Sequence, residues 1–317
     1  MSRLAELIAA AGLDDNLPVA MATVNREGRL EHAVAGRWSD GKDAKASDRF
    51  YGASLAKQIT GAAAALLVRD GLLDPDVAIA GWLGDLPRWI GGITARQLAH
   101  HTSGLPEAGI AEAALGWNWT EPAVAQYLIA LGAPTYIPGT EHRYSNLGYI
   151  LLARLVVAIS GMPFSEYVAA RLVDSPDIGF PTGGIGFAHA AGIDRLPLTQ
   201  GDGGLWTSAA ALAEWLDRQN RDLLHIAAIT EAPGRLSDGS ATDYGWGLGL
   251  REYRGRPALI HGGSWAGATG KSIRCPDLGI AAVTLTAGAE RQKVGELTDA
   301  ALEVAYLSGS GRERPRS

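Results

Sequence analysis

Ser54-Leu55-Ala56-Lys57-Gln58-Ile59-Thr60-Gly61, continued by an apolar run to Leu73, is the stretch whose reading decides the fold. It reads as a buried helix over Ser54 to Asp70, ended by Gly71. A serine at a helix start and a lysine three residues on lie on one face, one turn apart. The first N–H groups of such a helix and its positive dipole end favour negative charge developing near the serine. A buried lysine there can lose its proton and activate the hydroxyl as a nucleophile. The tetrapeptide alone is weak evidence: Ser39-Asp40-Gly41-Lys42 has the same spacing but no helical run behind it.

Working outward, Pro18 to Asn25 and Leu30 to Ala35 read as a β-hairpin around Arg26-Glu27-Gly28, and Leu4, Ile8 and Leu13 as an amphipathic helix. Beyond Asp74-Pro75, residues 107–121 read as a loop carrying Trp117 and Trp119. Helices are expected over Glu121–Leu131, Leu147–Gly161, Ser165–Leu172 and Ser208–Asp217, with Asp174–Gly203 irregular. From Tyr244 the pattern turns to antiparallel strands: Gly245–Leu250, Ala258–His261, Lys271–Arg274 and Ile280–Thr286, closed by a helix over Val294–Leu307. The expected class is α/β of the α+β type. Terminal segments (about 1–72 and 240–310) build an antiparallel sheet flanked by helices, and a mostly helical insert spans about 73–239.

With 317 residues, 47% hydrophobic and 20% charged, the chain has an ordinary globular composition. A net charge of −6 without like-charge blocks argues against nucleic acid as a partner. No apolar run is long enough to span a bilayer, and Met1–Gly12 lacks the pattern of a secretory signal, so a cytoplasmic location is expected. The single Cys275 excludes an internal disulfide and a cysteine-based metal cluster, and His100-His101 lacks partners at metal-ligand spacing; no cofactor is expected.

Three further segments carry polar groups at predicted element ends: His100-His101-Thr102-Ser103-Gly104-Leu105-Pro106, Tyr144-Ser145-Asn146 and His261-Gly262-Gly263. Gly262-Gly263-Ser264-Trp265-Ala266 is not a nucleophile elbow, because no histidine follows His261 to complete a triad in that chain order. Gly270-Lys271-Ser272 is not a phosphate loop, since Trp265 stands where its first glycine is needed.

In order and spacing these motifs resemble the penicillin-recognising serine hydrolases, and within them the class C β-lactamase-like branch of esterases, D-peptidases and acyltransferases. Gly203-Gly204-Leu205-Trp206-Thr207-Ser208 and Tyr244-Gly245-Trp246-Gly247 add to the resemblance, which runs from about residue 18 to about 305. It implies a β-lactamase/transpeptidase-like fold and catalysis through an acyl-Ser54 intermediate. It makes Lys57 the acceptor of the Ser54 proton, kept neutral by burial and nearby positive charge. Tyr144 would deliver a proton to the leaving group, as a tyrosinate or through Lys57. Asn146 would bond Lys57 or a substrate amide. The backbone N–H groups of Ser54 and Ser264 would form the oxyanion hole, with Gly262 and Gly263 leaving room for substrate.

The third motif departs from the family pattern. His261-Gly262-Gly263 stands where β-lactamases have Lys-Thr-Gly, which disfavours β-lactam substrates. No glutamate is placed like the class A deacylation base. The expected substrate is a small-molecule ester or amide, and the expected enzyme an esterase or amidase. Slow deacylation would suit a transacylase that passes the acyl group to an amine in secondary metabolism. A sensor that is acylated once is a third reading, disfavoured because Ser54, Lys57 and Tyr144 are all present. Trp117, Trp119, Trp206 and Trp265 are candidate pocket walls, suggesting an apolar or ring-containing acyl group; Trp246 is assigned to the core.

Overall fold

The computed structural model describes residues 1–13, 17–84, 86–116, 119–181 and 199–309. In chain order its elements are α1 (Arg3–Ala10), β1 (Val19–Val24), β2 (Leu30–Ala35), β3 (Phe50–Ala53), α2 (Ala56–Arg69), α3 (Ala95–Ala99), α4 (Ala108–Leu115), α5 (Glu121–Leu131), α6 (Asn146–Ser160), α7 (Phe164–Arg171), β4 (Ile178–Gly179), β5 (Leu205–Thr207), α8 (Ala209–Asn220), α9 (Ala227–Thr230), β6 (Gly249–Tyr253), β7 (Arg256–Trp265), β8 (Ala268–Cys275), β9 (Ile280–Ala287) and α10 (Arg291–Ser308).

Six strands form one antiparallel sheet in the order β2-β1-β9-β8-β7-β6. β1 pairs with β9 from Val19↔Thr286 to Val24↔Ala281, so the two ends of the chain share a sheet. Both faces are covered, and side chains alternate between them. Val19, Met21, Ile280 and Ala282 pack with Leu4 and Ile8 of α1 and Leu297 and Leu302 of α10. Ala20, Ala22, Ala281, Val283 and Leu285 belong to one core cluster with residues of α2, α6 and α8. This two-sided burial explains why β1 reads only as loosely alternating: all six of its residues are buried.

α2 is buried from Ala56 to Leu67, as an all-round apolar helix must be. It touches the segment before β6 very closely. A Cβ on Gly61 would collide with Trp246 O, and one on Gly247 (φ +79°) with Lys57 O. That crossing corrects the strand expected over Gly245–Leu250. Pairing with β7 starts only at Gly249↔Ile260, because residues 244–247 turn across α2 instead.

Two other expectations need correction. Residues 107–121 are not all loop: Ala108–Leu115 is helical, on the strength of its alanine-rich composition, with Ala111 as its buried residue. A second sheet, β3-β5-β4, lies partly in the stretch read as irregular. Its pairs Tyr51↔Trp206 and Ile178↔Thr207 tie the strand before Ser54 to the 201–207 segment. No single helix among the described residues is long and apolar enough to cross a membrane.

Candidate active site

Ser54 sits in the turn between β3 and α2. Ala53 before it adopts φ +45°, a strained value for a residue with a Cβ. Leu55 N donates to Gly52 O at 2.9 Å and Lys57 N to Ser54 O at 3.1 Å, which fixes the turn. Lys57, one helical turn on, is fully buried. Its Nζ lies 3.1 Å from Ser54 Oγ, 2.7 Å from Asn146 Oδ1 and 2.8 Å from the backbone carbonyl of Asp202. The carbonyls of Asn146 and Asp202 can only accept, so they take two N–H groups of the amine. The third direction faces Ser54 Oγ, so an amine that has given up its proton aims its lone pair at the hydroxyl. This arrangement can move a proton from Ser54 to Lys57.

The orientation of the Asn146 amide is set from its other side. Nδ2 of Asn146 donates to Glu112 Oε1 at 3.2 Å, which leaves Oδ1 for Lys57. Asp202 is itself buried, and burial raises its carboxyl above the ordinary value; Thr199 Oγ1 donates to its Oδ1 at 3.1 Å. No motif in the sequence marks Glu112 or Asp202. Glu112 is on the unrecognised helix α4, and Asp202 acts through its main chain, which no side-chain pattern signals.

Tyr144, half-buried just before α6, holds its ring with the centroid 5.0 Å from Lys57 Nζ. Along β7, Gly263 packs so closely on the Ser54 turn that a Cβ there would come within 3.0 Å of Ser54 N and 3.1 Å of Leu55 N. Ser264 follows, bordering the same cavity as Ser54. Beyond Ile260, β7 has no strand on its β6 side among the described residues, so an edge lies open beside Ser54. Gly262 meets nothing closer than Gly270 O at 3.8 Å and leaves open space.

His261 is buried. Its Nδ1 donates to Gly262 O at 2.6 Å and its Nε2 accepts from Tyr244 Oη at 2.9 Å. Burial, with Lys57 as a second cause, pushes it down to about 3, so it is neutral near pH 7 and offers no positive charge to a substrate. Among the described residues no cluster of three or more His, Cys, Asp or Glu could hold a metal ion.

A cavity of about 620 Å³ opens on Ser54, bounded by Tyr144, His261 and Gly262 near the serine and by Arg251, Lys271 and Arg291 further out. A second, of about 30 Å³, lies on the Trp265 side of Ser54, between Tyr51, Glu112, Trp119 and Trp265. Trp119 and Trp265 meet edge to face at 6.4 Å and narrow this space. Trp206 lines neither cavity; it is buried against Tyr51 with ring centroids 5.4 Å apart. Trp117 lies outside the described residues.

Comparison with known proteins gives the family and the fold. The family model described as Beta-lactamase matches residues 4–306. Penicillin-binding protein 4* of Bacillus subtilis is 27% identical over 275 residues, covering 74% of this chain and 59% of that protein. D-aminopeptidase of Brucella ovis is 26% identical over 201 residues, covering 58% of this chain and 38% of that protein. The chain therefore spans well under two thirds of either relative's length. In fold it is similar to the D-amino acid amidase of Ochrobactrum anthropi SV3, with a TM-score of 0.78 at 21% identity over 95% of this chain and 99% of that one. The match of one family's pattern to nearly the whole chain, on that family's fold, means that the chain belongs to the Beta-lactamase family.

Proposed function

We propose that this protein is a serine amidase that works through an acyl-Ser54 intermediate on a small amide with a free amine beside the reacting carbonyl. The observation that carries the reading is the buried Lys57 Nζ, held between two carbonyl acceptors and Ser54 Oγ. In acylation Ser54 Oγ gives its proton to Lys57 and bonds to the substrate carbonyl carbon. The N–H groups of Ser54 and Ser264 take the oxyanion, a contribution worth roughly 3–4 kcal/mol per donor. The C–N bond breaks as Tyr144 protonates the departing nitrogen, and Tyr144 is re-protonated from Lys57. Water then repeats the sequence in reverse and releases the acid.

Tyr144 borders the large cavity and not the small one, which supports a leaving group in the large one. The acyl side then has about 30 Å³, room for roughly two or three water molecules. This favours a small acyl side chain over the ring-containing group expected from the tryptophans. Glu112 borders both cavities, with Oε1 engaged by Asn146, so Oε2 can receive an ammonium beside the carbonyl. Arg251 and Arg291 at the far end suit a leaving group that bears a carboxylate. The D-aminopeptidase and D-amino acid amidase relatives support this substrate class and suggest D configuration.

The test is intact-protein mass over time with D- and L-alanine p-nitroanilides and p-nitrophenyl esters, with and without a small amine, and Ser54→Ala as control. A transient adduct on Ser54 that clears in water, faster for the D substrate, is expected. An adduct that persists until the amine is added makes the protein a transacylase. Turnover by Ser54→Ala overturns the acyl-Ser54 reading.

A further inference from the structure

His100 and His101, at the end of α3, have no part in the mechanism above. Both are buried, and both have every resolved hydrogen bond inside the protein. His101 takes φ +57°. A glycine would adopt that conformation at no steric cost, so a histidine there implies that the imidazole does something glycine cannot.

Its contacts say what. Ser145 N donates to His101 Nδ1 at 3.1 Å, and Arg143 N donates to His101 O at 2.9 Å. Tyr144, between those two residues, lays its ring against the imidazole with centroids 4.3 Å apart. One residue thus holds the Tyr144 segment at three points: before it, on it and after it. Because Nδ1 accepts, the ring proton must be on Nε2. Nε2 has no hydrogen-bond partner among the described residues, and the ring centroids of Tyr149 and Tyr244 lie 5.1 and 4.7 Å from that of the imidazole. An imidazolium would carry a proton on Nδ1 and could not accept from Ser145. Burial first, and the Lys57 charge second, hold His101 well below the ordinary histidine value and keep the accepting form.

His100 has the opposite tautomer and serves the opposite wall. Its Nδ1 donates to Tyr244 O at 3.0 Å, and Trp246 Nε1 donates to its Nε2 at 3.1 Å. Tyr244 in turn orients His261.

We infer that His101 is a positioning residue for Tyr144, fixing through Ser145 N–H and ring contact where that phenol stands beside Ser54 and Lys57. The inference rests on the reading of Tyr144 as proton donor to the leaving group. His100 is its neighbour on the 244–261 wall, so adjacent residues hold the two sides of the cleft.

Two variants test it. His101→Asn keeps a carbonyl oxygen near the place of Nδ1 and tolerates positive φ. His101→Phe keeps a ring but cannot accept from Ser145. Hydrogen exchange at the Ser145 amide is expected to accelerate at least about tenfold in His101→Phe and to stay near wild type in His101→Asn and His100→Phe. Turnover of the p-nitroanilide, whose nitrogen must be protonated to leave, is expected to fall roughly tenfold or more beyond any fall on the p-nitrophenyl ester in His101→Phe. His101→Asn should recover most of that difference. Equal losses on both substrates, or equal Ser145 exchange in the Asn and Phe variants, overturn the inference. Tyr144→Phe run alongside separates the two ideas. If it shows no extra loss on the anilide, the proton-donor reading is wrong, while Ser145 exchange still decides whether His101 holds the segment.

Discussion

Replacing Gly263 by alanine puts one methyl group at the tightest junction of the site. The added Cβ would lie 3.0 Å from Ser54 N and 3.1 Å from Leu55 N, and closer still to Gly52 O, all of them backbone atoms that cannot rotate away. Ordinary contact begins at 3.4 Å, so β7 and the Ser54 turn must separate. A displacement of about 1 Å at reacting groups costs roughly 10²-fold in rate, or about 2.7 kcal/mol of barrier. Overpacking adds about 1–3 kcal/mol of lost stability. Gly262 is the internal comparison: a Cβ there meets only Gly270 O at 3.8 Å. Thermal midpoints and Ser54 acylation by an activated ester, followed by mass, measure both terms. Gly263→Ala should lose about a hundredfold in acylation and several degrees in midpoint. Gly262→Ala should keep the wild-type midpoint and lose less acylation than Gly263→Ala. If Gly263→Ala acylates like wild type, the idea that β7 contact sets the oxyanion geometry is wrong.

Glu112→Gln should raise KM for an amine-bearing amide about tenfold and leave an N-acetylated analogue unchanged, the scale of one charge-assisted hydrogen bond; equal effects on both would remove Glu112 as the ammonium acceptor. Arg274 is 2% exposed and paired to Glu231 at 2.8 Å, so Glu231→Ala strands a buried cation and should cost about 3–5 kcal/mol in denaturant unfolding. A loss below about 1 kcal/mol would mean that Arg274 finds water or another partner. Stability should also fall in mild acid. His100 is lowered to about 4 and His261 to about 3, both by burial first, and His101 lies well below the ordinary value. Their unfolded forms bind protons below about pH 6.5 while the folded forms do not, so full stability holds above that pH. As pH falls from about 6.5 towards 4, each histidine removes about 1.4 kcal/mol per pH unit. Asp202, raised by burial, opposes this, because its folded form takes up a proton before its unfolded form as pH falls. Midpoints that stay flat from pH 7 to 5 would refute the buried neutral histidines.

The features legible in the sequence are local ones. The run after Ser54 is apolar all round, so a central helix follows. Ser54 and Lys57 are one turn apart, so their contact at 3.1 Å follows from helical spacing. Successive strands joined by short turns after Tyr244 make an antiparallel sheet legible without knowledge of its partners. Strands of two to four residues, such as β3 and β4, are too short to show a period, and α4 buries only Ala111 among its eight residues, so no apolar stripe marks it.

The environment of those residues depended on closure of the chain. Lys57 meets Asn146 across 89 residues and Asp202 across 145, through contacts that exist only once β3 pairs with β5 and α6 packs on α2. Glu112 reaches Asn146 only because α4 folds over the cleft. The tautomer of His100 is set by partners 144 and 146 positions away and that of His101 by one 44 positions away, and adjacent identical residues carry no sequence sign that one accepts where the other donates. The sequence by itself thus determined the chemistry available, because side-chain type and helical spacing are local properties. Tertiary structure alone decided protonation, orientation and room for substrate, because burial and hydrogen-bond partners come from segments that meet only in the folded chain.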